Sequence, residues 1–164
     1  MRNFFNKLSP KSFQYICIFI CFLGDLSFAG YIYFISSDKE AYLQNFELLK
    51  IPLTQAFKSQ GLELPIGFEH EIFQVMLQTL VTMLGLYLLA HLIIYFFYYL
   101  NKRFAFLYIR FISIMGIIAG ITFFSGSMNG HFIWPLIFAV ITIAYLFNSF
   151  GTHYFPITKV KNQE

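Results

Sequence analysis

Long apolar runs alternate with short polar segments along this chain. The runs cover about residues 14–36, 72–100, 104–124 and 132–150. Each reaches the roughly 20 residues that a helix rising 1.5 Å per residue needs to cross a hydrocarbon core. The second run exceeds that length, which predicts a tilted helix or one projecting beyond the bilayer. Short connections at Asn101-Lys102-Arg103 and Ser125–Gly130 predict that the second, third and fourth helices are antiparallel neighbours. The predicted fold class is all-α: a polytopic membrane protein, a four-transmembrane-helix bundle forming one integral membrane domain over residues 1–164.

The segment 37–71 is the one sizeable piece predicted outside the membrane. Ser37-x-x-Glu40 has the form of a capping box ahead of Ala41–Lys50, where Tyr42, Leu43, Phe46 and Leu49 fall roughly on one face. Pro52 suits the first turn of a second short helix that stops near Gly61. Two short amphipathic helices are therefore expected, lying on the outer membrane face, capping the bundle or docking a partner. Pro65 and Gly67 break the chain before Glu69 and Glu71, acids that suit the start of the second membrane helix.

Composition agrees with a bilayer. Of 164 residues, 58% are apolar and 12% are charged, against about 25% charged in soluble domains. A soluble fold of this size could not hide so much apolar surface. The net charge of +3 is scattered, with no basic run of the kind that binds nucleic acid. Its distribution sets the expected orientation. Arg2, Lys7, Lys11, Lys102, Arg103, Arg110, Lys159 and Lys161 share one side if both termini lie together, against Lys39, Lys50 and Lys58 on the other. The positive-inside rule then predicts cytoplasmic N- and C-termini in a cell membrane of the bacterial inner-membrane type. Ser27-Phe28-Ala29 also resembles a signal-peptidase site, but the apolar run resumes at once with Tyr31–Ile35, which favours a retained span.

The candidate chemistry lies inside the spans. Asp25 has no basic residue near it in sequence, and a carboxylate at a helix centre costs ~2.5–3.5 kcal/mol to insert. It should face protein or water. Cys17, Cys21, Gly24, Asp25 and Ala29 fall within about 140° on a helical wheel, a small-residue face that admits a second helix closely. If the helices stand upright, His91 lies about 3 Å from the level of Asp25 and Arg110 about 7 Å away, so either could neutralise it. A protonated Asp25, a partner's polar group and a proton- or ion-handling carboxylate are the other readings.

The second span carries two polar faces. Glu71, Gln74, Gln78, Thr82 and Gly85 cluster in its outer half, suiting either helix-helix hydrogen bonding or the wall of a hydrophilic cavity. Tyr87, His91, Tyr95 and Tyr98 form a separate stripe in its inner half. Ser113, Gly116 and Gly120 make a small-residue stripe in the third span, expected to pack within the chain or in a homodimer. Trp134 and Pro135 suit the outer end of the fourth span as an interfacial anchor and a first-turn proline, while Asn148 needs no special role.

Cys17 and Cys21 match neither a redox pair nor a zinc spacing, so free thiols are expected. No metal site or cofactor is expected, since His70, His131 and His153 lie outside the membrane core that holds His91. No nucleophile elbow, phosphate loop or HExxH pattern occurs. A quinone-linked disulfide oxidase would need cysteine pairs outside the membrane, and a di-haem cytochrome would need histidines paired across helices. The expectation is a non-catalytic accessory or assembly subunit of a membrane complex, bound to a membrane-protein partner or to itself. The alternative is a small oligomeric ion, proton or solute transporter using Asp25.

Overall fold

The computed structural model describes residues 8–127 and 133–154. Among the described residues there are five helices and no strand: α1 (Pro10–Ser36), α2 (Lys39–Ser59), α3 (Phe68–Tyr99), α4 (Arg103–Ser127) and α5 (Ile133–Tyr154). All but α2 are long and apolar enough to cross a membrane. The helices α1, α3 and α4 start slightly earlier than the apolar runs alone predict. Ser9 explains this at α1, where its hydroxyl accepts from the Ser12 N–H at 3.1 Å and Pro10 occupies the first turn.

The chain divides into two compact units, residues 1–28 with 88–164, and residues 29–87. In the first, α4 and α5 pack along each other. Its core gathers Phe13, Cys17, Cys21, Tyr95, Tyr98, Ala105, Ile109 and Tyr145. The turn from α3 to α4 closes by bonds from Lys102 N to Phe97 O and from Asn101 N to Tyr98 O, at 3.0 and 2.9 Å. That pattern needs a left-handed residue, and Asn101 supplies it at φ 57°.

In the second unit, α2 lays an aromatic face against the start of α3. Tyr42 meets Phe73 with ring centroids 4.9 Å apart, and Phe68 meets both Phe46 at 6.5 Å and Phe57 at 5.9 Å. Two sequence expectations change here. The N-cap of α2 is Asp38, whose carboxylate accepts from Ala41 N at 3.0 Å, whereas the Ser37 hydroxyl donates back to Phe34 O at the end of α1. The helix also continues through Pro52 instead of restarting there. Proline costs a helix interior about 3 kcal/mol by losing the bond to the carbonyl four residues back. That carbonyl belongs to Leu48, an exposed residue. Phe68 holds the two flanks of Pro52 in one helix by touching a ring from each. The helix stops at Gly61, whose φ of 73° supports bonds from Gly61 N to Lys58 O and from Leu62 N to Phe57 O.

Candidate functional site

Asp25 is 2% exposed and His91 6% exposed. The His91 Nδ1 lies 2.8 Å from Asp25 Oδ2, and the same oxygen accepts a hydrogen bond from the Tyr95 hydroxyl. On the other edge of the imidazole, Nε2 lies 2.9 Å from the Tyr108 hydroxyl. Three helices thus contribute: α1 through Asp25, α3 through His91 and Tyr95, and α4 through Tyr108. The i, i+4 spacing of His91 and Tyr95 puts both on one face of α3.

Helix rise places this cluster at depth. Gln14 Nε2 donates to Asn101 Oδ1 at 2.5 Å, which sets one level shared by α1 and the α3–α4 turn. Counting from Gln14 to Asp25, and from Asn101 back to His91, gives about 16 and about 15 Å. Either value is about half of a ~30 Å hydrocarbon core. A lone charge there is costly, and the imidazole and the phenol that meet Asp25 supply the polar partners that hydrocarbon lacks. Arg110, the other sequence candidate for neutralising Asp25, is exposed. The buried partner of Asp25 is the histidine.

The small-residue stripe of α1 is an internal face. Cys17, Cys21, Gly24, Asp25 and Ala29 are all buried, and both cysteines are free thiols. Tyr145 of α5 explains the glycines. Its phenol lies against Gly24, and its ring edge lies against Gly116, where a Cβ on either residue would overlap it. Gly120 is likewise filled by the Thr142 hydroxyl of α5. The Gly116/Gly120 stripe therefore packs within the chain. Ser113 is buried, with its hydroxyl returned to the Ile109 carbonyl at 2.9 Å.

Asn148, which the sequence leaves without a role, is fully buried against the cysteines. Its Nδ2 donates toward Cys17 O at 3.4 Å and Cys21 Sγ at 3.6 Å, while its Oδ1 has no hydrogen-bond partner. Neither Tyr145 nor Tyr108 stands out among 11 tyrosines in sequence. Tyr95 does, through its spacing from His91.

The other polar face of α3 has the opposite character. Glu71, Gln74, Gln78, Thr82 and Gly85 are all exposed. Thr82 returns its hydroxyl to Gln78 O at 2.9 Å, as membrane threonines commonly do. A Cβ added at Gly85 would meet nothing within 4 Å. Among the described residues of its own unit, this face bonds to no other helix.

No group of three or more metal-ligating side chains occurs among the described residues. His131 and the terminal basic residues Arg2, Lys7, Lys159 and Lys161 lie outside the described residues. The known protein families, the curated proteins and the solved structures contain no match to this chain.

Proposed function

We propose that this multi-pass membrane protein acts by association rather than catalysis, as an accessory or assembly subunit. Its recognition surface would be the outer half of α3, and its partner a membrane protein or a second copy. One observation carries the reading: Gln74, Gln78 and Thr82 are exposed on a helix apolar enough to span. Amides facing hydrocarbon lose their water without replacement, and a neighbouring helix offering amides or hydroxyls restores those bonds. The polar groups of α1 and the glycines of α4 are already engaged within the chain, so they are not available for this role. In this reading the chain sits in a cell membrane with both termini cytoplasmic, has the bilayer as its other partner, and needs no cofactor.

The test is native mass spectrometry of the full-length protein, extracted in mild detergent, against the double variant Gln74→Leu/Gln78→Leu. We expect the wild type to carry a co-purifying subunit or a second copy, and the variant to lose it at unchanged helicity and yield. Identical complexes from both proteins would refute the proposal. The transporter reading draws support from the Asp25–His91 contact at mid-membrane depth. It would prevail if Asp25→Asn abolished proton or solute flux in proteoliposomes while leaving association intact.

A further inference from the structure

The exposed polar residues of α3 recur with the period of a two-helix seam. Glu71, Gln78 and Gly85 follow one another at seven residues, and Gln74 and Val81 repeat at seven between them. This is the a/d spacing by which one helix lies along another. All five residues are exposed, on a helix long and apolar enough to cross a membrane.

Gly85 adds a second observation. Gly24, Gly116 and Gly120 each receive a side chain of α5 where a Cβ would otherwise stand, whereas a Cβ at Gly85 meets nothing within 4 Å. The notch on the seam is open, and a backbone without a Cβ is what lets a second helix approach closely.

The chemistry of the seam selects its occupant. Copies of one chain inserted with the same orientation present α3 in parallel, so a two-fold axis along the membrane normal brings each seam residue to its own counterpart. Glutamine suits that symmetry, because one amide carries both donors and an acceptor. Gln78 can donate to Gln78 of a second copy and accept from it, and Gln74 likewise. Thr82, beside the seam, gives its hydroxyl proton to the Gln78 backbone carbonyl at 2.9 Å. It is left as an acceptor, which a glutamine N–H across the seam can fill. Glu71 is exposed in the first turn of α3, where water and salt screen two like charges.

We propose that this chain forms a parallel homodimer through the N-terminal half of α3. Gln74 and Gln78 of the two copies hydrogen-bond across the axis, and Gly85 is the point of closest approach. The inference rests on the association reading above and commits it to a second copy.

Cross-linking in native membranes tests this on the full-length chain. Val81→Cys places a thiol on the seam and keeps both glutamines and Gly85. Met83→Cys places one about 160° away on the same helix, at a residue that is also exposed. Cys17 and Cys21 are buried, so the unaltered chain serves as the blank. With a short bis-maleimide we expect Val81→Cys to give a covalent dimer, and Met83→Cys and the unaltered chain to stay monomeric. Adding Gln74→Leu/Gln78→Leu, or Gly85→Leu, to Val81→Cys should lower the cross-linked fraction about tenfold at low protein-to-lipid ratio, equivalent to about 1.4 kcal/mol. The space around Gly85 is open within the chain, so that loss reads contact between copies and not misfolding. Equal yields from positions 81 and 83, or a yield at 81 that either addition leaves unchanged, would overturn the proposal. No dimer from position 81, with a cross-link from position 78 to a different protein, would overturn the second copy and leave association standing. No cross-link to any protein from either position would refute both.

Discussion

In the C-terminal half of α3, His91, Tyr95 and Tyr98 are buried and bonded or packed against α1 and α4. In its N-terminal half, Gln74, Gln78 and Thr82 are exposed. Both halves belong to one apolar helix, and neither can leave polar groups facing hydrocarbon without cost. The buried half meets that cost within the chain. Within its own unit the exposed half has no such partner among the described residues, and the proposed association would supply one. A polar residue in a membrane span thus says little by itself. Whether its own chain answers it separates a structural group from a contact surface.

The largest expected effect concerns the glycines that make the internal half close-packed. Gly116→Ala places a Cβ inside the Tyr145 ring edge and Gly24→Ala places one against its hydroxyl. Each should cost about 3 kcal/mol, the upper end of overpacking in a tight core, read as a lower thermal midpoint in detergent. Tyr145→Phe should partly rescue Gly24→Ala, whose nearest neighbour is the hydroxyl oxygen. It should not rescue Gly116→Ala, whose nearest neighbours are ring carbons. Equal rescue of both would mean that Tyr145 does not wedge between α1 and α4 as described.

A smaller effect sharpens the comparison between the two units through one substitution made twice. Tyr95→Phe removes a donor from the buried Asp25 side chain and should destabilise by about 2 kcal/mol, the cost of leaving a buried acceptor short of a donor. Tyr42 is the reverse case. Its hydroxyl is buried with no hydrogen-bond partner. Burial, reinforced by Glu69, raises the pKa of this phenol, so the neutral form is held. Tyr42→Phe should therefore stabilise by about 1 kcal/mol, because it removes an unsatisfied polar atom. Amide exchange resolved by unit measures both. A loss of protection in α2 upon Tyr42→Phe would contradict the assignment.

Much of this was legible in the residues themselves. Four spans follow from run length, and the internal face of α1 follows from the 100° spacing of Cys17, Cys21, Gly24, Asp25 and Ala29. His91 was legible by level, because two straight helices convert residue counts into depth. Arg110 failed as its rival for a reason invisible in one dimension: its level is right, but it faces outward. Tyr145, Tyr108 and Asn148 were illegible because no local pattern marks them, and their roles come from what α4 and α5 bring against α1. The continuation of α2 through Pro52 was missed for a similar reason. Helix-breaking propensity is local, while the Phe68 contacts that override it come from another helix.

The most direct test of the exposed half is photocrosslinking in intact membranes from a photoreactive residue placed at position 78. Position 118 of α4, where exposed Ile118 carries no polar group, serves as the reference. The account predicts a discrete protein adduct from position 78, either with a second copy or with another membrane subunit, and only lipid adducts from position 118. Lipid adducts alone from both positions would show that Gln78 faces hydrocarbon unanswered, and would contradict association through this face.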